Sequence, residues 1–317
     1  MLTVMENVIF NQIVCSDVIE LAQHIDTESM DCILVDPPYN IGKDFGNKSD
    51  CQEMKQYVDW CSKWLFEFER ILKPSGTGFI YGFDEILAYI SINLSLPHRW
   101  LTWYYTNKNA ANPSFWQRSH ESIIVFWKDS KKRIFNADKV REPYTETFLK
   151  NAAGKKRKAT IGRFSKTSKV TVYKAHKLGA MPRDVIKVPA LAGGAGVKER
   201  IYYCDTCKDV FFGNKKKHKN HKLKEHPTQK PQELTKKLLN SCLPLNSPTN
   251  KLVYIPFAGS GSECLTCFQM GFDFVASDLN EHYVERCNRL LEKCGRNTIK
   301  GMAHYLDNNG HTLANIK

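Results

Sequence analysis

The sequence predicts an α/β protein with an open, mostly parallel sheet and a basic segment inserted into that sheet. Apolar, strand-like runs alternate with helix-like stretches up to residue 127, and the same alternation returns after residue 231. Between these two regions the chain is basic and shows no sustained periodicity. With 317 residues, the chain is long enough to bury a full core and to hold a second, smaller module.

The first half of the sheet is predicted from apolar runs and helical spacing. Val8–Val14 is a predicted strand, and the amphipathic stretch Asp17–His24 is a predicted helix. A buried strand, Cys32–Val35, stops at two prolines, and the apolar spacing over Tyr57–Leu72 predicts a longer helix. Further strands are predicted at Gly78–Gly82, Trp100–Tyr105 and Ser122–Trp127.

The second half follows the basic segment. Helices are predicted over Gln232–Cys242, Leu265–Met270 and Glu281–Lys293, and strands over Leu252–Ile255 and Phe272–Ser277. We therefore expect residues 1–128 and 226–317 to form two halves of one sheet domain, with residues 129–225 inserted between them.

The positive charge of the chain is concentrated in the insertion. The formal net charge is +13, yet residues 150–224 alone contain 21 lysines and arginines against four aspartates and glutamates. A segment this basic neutralises phosphates and releases counterions, which favours a nucleic-acid partner. The alternative is a solvated basic surface.

Composition also indicates where the protein acts. No apolar run is long enough to cross a bilayer, and the N-terminus lacks the layout of a secretory signal. The eleven cysteines are scattered and odd in number, which favours reduced thiols over a disulfide framework. We therefore expect a cytoplasmic protein with no membrane partner.

A glycine-containing turn, Phe257-Ala258-Gly259-Ser260-Gly261, follows the strand Leu252–Ile255. Glycines at a strand-to-helix turn let the backbone approach a cofactor closely. The next strand ends at Asp278, and an acidic residue at this place usually binds ribose hydroxyls. The order of strand, glycine turn, helix, strand and acid predicts a nucleoside-containing cofactor.

Asp36-Pro37-Pro38-Tyr39 also lies at the end of a predicted strand. Two prolines fix the backbone and remove two donors, so nearby carbonyls are free to accept. Asp36 and the Pro37 carbonyl are predicted to accept the two N–H groups of a planar base, while Tyr39 stacks on its ring. The alternative is a proline-rich loop with a capping aspartate.

Three segments in this order resemble the β group of amino-methylating DNA methyltransferases. They are Asp36-Pro37-Pro38-Tyr39-Asn40, His226-Pro227-Thr228-Gln229-Lys230-Pro231 and Phe257-Ala258-Gly259-Ser260-Gly261. The resemblance implies a Rossmann-like, mixed seven-stranded sheet and S-adenosylmethionine as the methyl donor. It also implies that residues 1–128 are the catalytic half, 129–225 the target-recognition insertion and 226–317 the cofactor-binding half.

The resemblance implies roles for individual residues. Asp17 is expected near the cofactor adenine, with Thr228 and Lys230 as candidates for the methionine carboxylate. The other expected cofactor-binding residues are Asp36, Phe257, Gly259, Ser260, Gly261 and Asp278. Two positions depart from the family, since Ile255 stands where aspartate is common and Ser262 where threonine is common.

The resemblance implies methyl transfer to an exocyclic amine of a base that is flipped out of double-stranded DNA. Family members with Asp at the position of Asp36 favour adenine N6, and cytosine N4 is the alternative. A non-catalytic nucleic-acid binder on a decayed fold is a third interpretation, which only Ile255 favours. A restriction–modification system is expected, with a homodimer and a cognate endonuclease as partners to be tested.

A cysteine pair lies within the basic insertion. Cys204 and Cys207 are followed by His218 and His221, and together they resemble a zinc knuckle with a structural ion. The two residues between the histidines are fewer than the usual three to five. Zinc and a reduced cysteine pair in a basic loop both remain open.

Overall fold

A computed structural model describes residues 9–45, 50–107, 114–158, 161, 168–196, 198–213, 215–243 and 251–306. Val8, predicted to begin the first strand, lies outside these ranges. In this part of the chain, no helix combines the length and the apolar character needed to span a bilayer.

The strands and helices alternate in the two sections where the sequence predicts alternation. The strands are β1 (Ile13–Cys15), β2 (Met30–Val35), β3 (Leu72–Gly82), β4 (His98–Tyr104), β5 (His120–Trp127), β6 (Lys156–Lys158), β7 (Val170–Val172), β8 (Val185–Lys187), β9 (Ile201–Cys204), β10 (Val210–Phe212), β11 (Leu223–Glu225), β12 (Leu252–Ile255) and β13 (Asp273–Asp278). The helices are α1 (Val18–Gln23), α2 (Met54–Ile71), α3 (Asp84–Asn93), α4 (Glu146–Asn151), α5 (Gly193–Gly196), α6 (Gln232–Cys242), α7 (Ser262–Met270) and α8 (Glu281–Leu306).

The main sheet has the strand order β1-β13-β12-β2-β3-β5-β4-β8. Strands β1, β13, β12, β2 and β3 run parallel, whereas β5 is antiparallel to both β3 and β4. The predicted α/β class and mixed sheet are confirmed. Seven of the strands are those expected, and the eighth, β8, comes from the insertion and pairs parallel to β4. The expected count of seven is therefore corrected to eight among the described residues, because the insertion extends the sheet edge.

The two halves of the chain meet at the centre of the sheet. Strand β12 pairs with β2 through Val253 and Cys32, so a late strand lies beside an early one. All six residues of β2 are buried, as expected for a parallel strand covered on both faces. One face packs against α1, α2 and α3, and the other packs against α6, α7 and α8.

Two local predictions differ from the structure. Helix α3 was not predicted, because Tyr89 and Ile92 expose apolar side chains and blur its polar face. The strand predicted from Gly78 begins six residues earlier, directly after α2. Its pairing with β2 shifts register between Met30 and Cys32, which accommodates the extra residues.

The insertion contains small sheets that its sequence did not predict. Strands β10, β9 and β11 form a three-stranded antiparallel sheet, and β6 and β7 form a two-stranded one. Strands of three or four residues are too short to show a clear alternation. The proposed section boundaries at 128 and 225 stay a prediction.

Candidate functional site

The carboxyl ends of β1, β13, β12 and β2 meet at one edge of the sheet, because these neighbours run parallel. The segments that follow them line an open cleft of about 900 Å³. The sequence-predicted residues that line it are Asp17, Asp36, Pro37, Pro38, Tyr39, Thr228, Lys230, Phe257, Gly259, Ser260 and Asp278. The fold therefore gathers residues from five separate segments of the chain at one place.

The glycine turn between β12 and α7 requires glycine at two positions. Gly259 has φ 49° and Gly261 has φ 76°. A Cβ on Gly259 would lie 2.9 Å from His226 Nε2, and a Cβ on Gly261 would lie 2.7 Å from Cys287 Sγ. Both glycines thus let the turn pass close to its neighbours. Gly261 does not line the cleft as Gly259 does, and it precedes the first turn of α7.

Asp278 lies beside the glycine turn. Its carboxylate accepts the backbone N–H of Gly259 and that of Asn280, each at 2.8 Å. Burial raises the pKa of Asp278, and the two N–H donors oppose that shift. The second acid, Asp17, caps α1 by accepting the N–H of Ile19 at 2.8 Å. Both predicted acids therefore have local structural roles as well as a place in the cleft.

Asp36 lies in a buried ionic cluster that the sequence did not predict. Lys230 Nζ is 2.7 Å from both carboxylate oxygens of Asp36, and it is 3.8 Å from Glu121 Oε2. The Tyr39 hydroxyl donates at 3.0 Å to Asp36 or at 3.2 Å to Glu121. Glu121 reaches this edge because β5 runs antiparallel to β3 and begins where β3 ends.

The cluster sets the protonation of its members. Burial raises the pKa of Asp36, and the Lys230 ammonium opposes that shift. Burial alone would lower the pKa of Lys230, but the carboxylates of Asp36 and Glu121 raise it above its ordinary value. We conclude that Lys230 stays charged and holds Asp36 in a fixed orientation.

Two predicted contacts, those of Lys230 and Tyr39, look different in the structure. Lys230, expected at the methionine carboxylate, is paired with Asp36. Tyr39, expected to stack on a base, is 9% exposed and lies edge-on to Phe83 at 5.1 Å between ring centroids. The Pro38 carbonyl accepts the Tyr57 hydroxyl at 2.6 Å, which fixes the proline segment.

The segment between β11 and α6 brings His226 and Thr228 to the cleft. The ring of His226 stacks on Phe45 at 5.7 Å and meets the edge of Tyr283 at 4.8 Å. Burial lowers the pKa of His226 to about 3, so the ring is neutral near pH 7. Thr228 N–H lies 3.3 Å from His226 Nδ1, which keeps this segment compact.

Glu263 is a site residue that sequence reasoning missed. It lies in the first turn of α7, lines the cleft and is 5% exposed. Ser262 Oγ donates to its Oε2 at 2.7 Å, whereas Oε1 is buried and has no hydrogen-bond partner among the residues that the structure describes. Burial first, and then Asp36, raise the pKa of Glu263 to about 7. One signal in the sequence could have pointed to Glu263. Ile255 stands where the resembled family has aspartate, and it is buried in the core and does not line the cleft, so another acid was to be sought nearby.

Aromatic side chains near the cleft divide into two groups. Trp103 and Tyr105 are buried in the core, at 3% and 2% exposure. Phe115 and Trp116 are 75% and 88% exposed and precede β5, so they lie near the same sheet edge as Asp36. Exposed aromatic rings next to a cleft suit stacking on nucleobases.

Comparisons with known proteins agree with this architecture. A family model described as DNA methylase, of the N6 and N4 type, matches residues 30–289. The type II methyltransferase M.HpaI of Haemophilus parainfluenzae is 27% identical over 286 residues, which cover 89% of this chain and 74% of the relative. The DNA adenine methyltransferase YhdJ of Escherichia coli (strain K12) is 25% identical over 295 residues, which cover 92% and 86%.

A solved structure shows the same fold. The PvuII DNA methyltransferase, described as cytosine-N4-specific, aligns with a TM-score of 0.56 and 15% identity. The alignment covers 87% of this chain and 84% of that chain.

Proposed function

Because the chain belongs to the N6/N4 DNA methylase family, we propose that it transfers a methyl group from S-adenosylmethionine to the N6 amino group of adenine in DNA. The observation that carries the proposal is the Asp36 carboxylate, held by Lys230 at the rim of the cofactor cleft. The Asp-led motif favours adenine. The relative YhdJ, named as an adenine methyltransferase, supports the same choice.

The residues of the cleft fit S-adenosylmethionine. Asp278 offers a carboxylate for ribose hydroxyls, and the glycine turn at Gly259 leaves room for close backbone approach. Phe257 and Trp60 provide apolar walls, and their rings lie 5.8 Å apart. The cofactor supplies a methyl group bound to a positively charged sulfur. The sulfur is already an activated leaving group, so the protein need supply no acid.

Asp36 is proposed to accept an N–H of the target amine. An ionised carboxylate offers about four lone-pair sites. Lys230 contacts both oxygens and Tyr39 uses Oδ1, so Oδ2 keeps the capacity to accept another donor. An acceptor fixed in this way needs little reorganisation when the amine nitrogen gains positive charge.

The raised pKa of Asp36 suits it to take the proton that the amine loses after transfer. Lys230 does not compete for that role, since Asp36 and Glu121 keep it protonated. Lys230 is thus a positioning residue. Tyr39 is also a positioning residue, because its hydroxyl donates to Asp36 or Glu121.

Glu263 is proposed to bind the α-ammonium group of the cofactor's methionine end. Its Oε1 is a buried acceptor near Asp36 and Lys230, and no group in the described part of the chain bonds to it. An ammonium there would satisfy this oxygen. The acid would also replace the carboxylate that the family carries at the position of Ile255.

A binding experiment tests the role of Glu263 separately from catalysis. At pH 6 its carboxyl is mostly protonated, given the pKa of about 7. Cofactor binding should then release a proton, seen by calorimetry as a dependence of the binding heat on the buffer. Glu263→Gln should bind more weakly and release no proton, whereas equal proton release in both proteins would refute the role.

Mass spectrometry of nucleosides tests the target base. After incubation with varied duplexes and methyl donor, N6-methyldeoxyadenosine is expected in the digested DNA. Cytosine N4 is the second candidate, because the matching family model covers both N6 and N4 enzymes and both targets are exocyclic amines on a planar ring. Methylation found only on deoxycytidine would replace adenine by cytosine, and DNA left unmodified would contradict both.

The biological setting proposed is a restriction–modification system. M.HpaI, a relative covering 89% of this chain, is named as a type II methyltransferase. A cognate endonuclease and a homodimer remain predictions. Sequencing of genomic DNA from cells that express the protein, with detection of modified bases, would identify the recognised site.

A further inference from the structure

The structure assigns a closed zinc site to the insertion, with Cys204, Cys207, His218 and His221 as the four ligands. All four ligand atoms lie within 4.8 Å of one another. The two cysteines are free, so no disulfide competes with a metal. Cys204 ends β9, and the other three residues lie in the connections between β9, β10 and β11, outside the cofactor cleft.

The distances match those around a tetrahedral zinc ion. Bonds of about 2.0 to 2.3 Å place neighbouring ligand atoms about 3.3 to 3.8 Å apart. Cys204 Sγ is 3.2 Å from His221 Nδ1, and Cys207 Sγ is 3.4 Å from His218 Nδ1. The two Nδ1 atoms are 3.3 Å apart. Four ligand atoms therefore converge on one point.

The short gap between the histidines has a structural cause. Residues Lys215–His218 form a 3₁₀ turn, and the His221 N–H donates to the His218 carbonyl at 3.0 Å. Residues three apart face the same way in such tight turns. Both rings can therefore reach one ion with only two residues between them.

The surroundings of the cluster also suit a bound metal. Asp209 Oδ2 lies 3.8 Å from His218 Nε2, the ring nitrogen on the far side from the cysteines. A carboxylate behind a ligand histidine is a common feature of zinc sites, although this distance is longer than a hydrogen bond. The His218 ring also stacks on Phe211 at 4.1 Å with an interplanar angle of 9°. The ligand is thus fixed before any ion binds.

The proposed site is structural, because four protein ligands leave no open position for chemistry. Strand β9 and Gln229 connect the proposed site to the cleft. Ile201 N–H donates to Gln229 Oε1 at 2.9 Å, and Gln229 Nε2 donates to the Glu199 carbonyl at 3.0 Å. The next residue, Lys230, holds Asp36. Zinc therefore helps to fix the segment that positions the acceptor.

Elemental analysis of the full-length protein, purified without chelators, tests the site. About one zinc ion per chain is expected in the wild type and in a control with Cys15→Ser and Cys51→Ser, two exposed cysteines outside the cluster. The variant with Cys204→Ser and Cys207→Ser should lose the zinc. Zinc retained at the wild-type level in that variant would refute the assignment.

Cobalt substitution of the wild-type protein keeps the test independent of whether the variant folds. A tetrahedral site with two thiolates should give sulfur-to-cobalt charge-transfer absorption and strong visible bands. Their absence, together with far less than one zinc per chain, would overturn the proposal. Neither readout depends on methylation activity, so failure here is distinct from failure of the proposed function.

Discussion

At the end of β2, Asp36 and Glu121 share the buried ammonium of Lys230, whereas in the insertion two thiols and two imidazoles converge on one point. The first cluster is buried, and buried charged groups need partners. In the second, Cys204 and His218 are buried, whereas Cys207 is exposed and His221 is half-buried. The first supplies its cation from the chain itself. The second, on our proposal, takes its cation from solution. The difference teaches that the end of β2 balances its charge with a residue of the chain, whereas the proposed zinc site would balance its thiolates with an ion.

Removal of the ion should have the largest effect on stability, and it should be local. Structural zinc contributes about 10 kcal/mol or more in small zinc modules. We expect a strong chelator to abolish amide protection in β9 and β10 while β2 and β3 stay protected. Hydrogen exchange measured by mass spectrometry checks this. Uniform loss of amide protection in both regions would contradict a local effect of the ion.

Lys230→Met should break the other cluster. The substitution leaves Asp36 and Glu121 buried without their cation, which typically costs about 3–5 kcal/mol. We expect the free energy of unfolding in urea to fall by that amount. Lys237→Met is a matched control, because Lys237 pairs with Glu233 on an exposed helix surface and should change stability by less than about 1 kcal/mol. Equal losses in the two variants would show that the buried pair has no special role.

Glu263→Gln should change how stability depends on pH. The pKa of Glu263 is raised from 4.5 to about 7, so its protonated form stabilises the folded state. That stability is fully present below pH 4.5 and is lost as pH rises through 7. Glutamine does not titrate, so the variant's free energy of unfolding relative to wild type should rise by about 3 kcal/mol between pH 4.5 and pH 8.5.

The electrostatic surroundings of Glu263 are Asp36, Lys230, the Ser262 hydroxyl and its own backbone N–H. Urea titrations of both proteins across this pH range provide the measurement. A constant difference between the two proteins would show that Glu263 does not titrate near neutrality.

Trp116→Ala should have the smallest effect among these changes. The side chain is 88% exposed, so folding should be unaffected. Loss of one base-stacking ring typically costs about 1–3 kcal/mol in single-strand binding. We expect DNA affinity to fall by about tenfold in fluorescence titrations, with cofactor affinity unchanged. Trp100→Ala on β4 is a control of similar size, at 37% exposure. Equal DNA affinity in wild type and Trp116→Ala would show that no base stacks on Trp116.

The sequence predicted the sheet well where burial dictates composition. Strand β2 was evident because a parallel strand covered on both faces is apolar at every position but one. The ends of the strands then located Asp36 and Asp278. Helix α3 was missed because its exposed face is partly apolar, and β8 was missed because three residues carry too little pattern.

The contacts within the site were harder to predict, because they join residues far apart in the chain. Lys230 and Asp36 are separated by 194 positions, and no local rule pairs them. The resemblance suggested only a cofactor contact for Lys230, and that contact stays a prediction. The place of Glu121 depended on the direction of β5, which the sequence does not show. The four residues of the zinc knuckle were named from the sequence, but the 3₁₀ turn that lets His218 and His221 face one point was not predicted.

Single-turnover methylation by Asp36→Ala tests the central claim most directly, with protein in excess over duplex DNA and saturating methyl donor. Loss of one preorganised polar contact typically lowers a rate by about 100-fold or more. We predict that decrease, with DNA and cofactor affinities within a few-fold of wild type. An undiminished rate would contradict the account, because the amine would then need no acceptor at the end of β2.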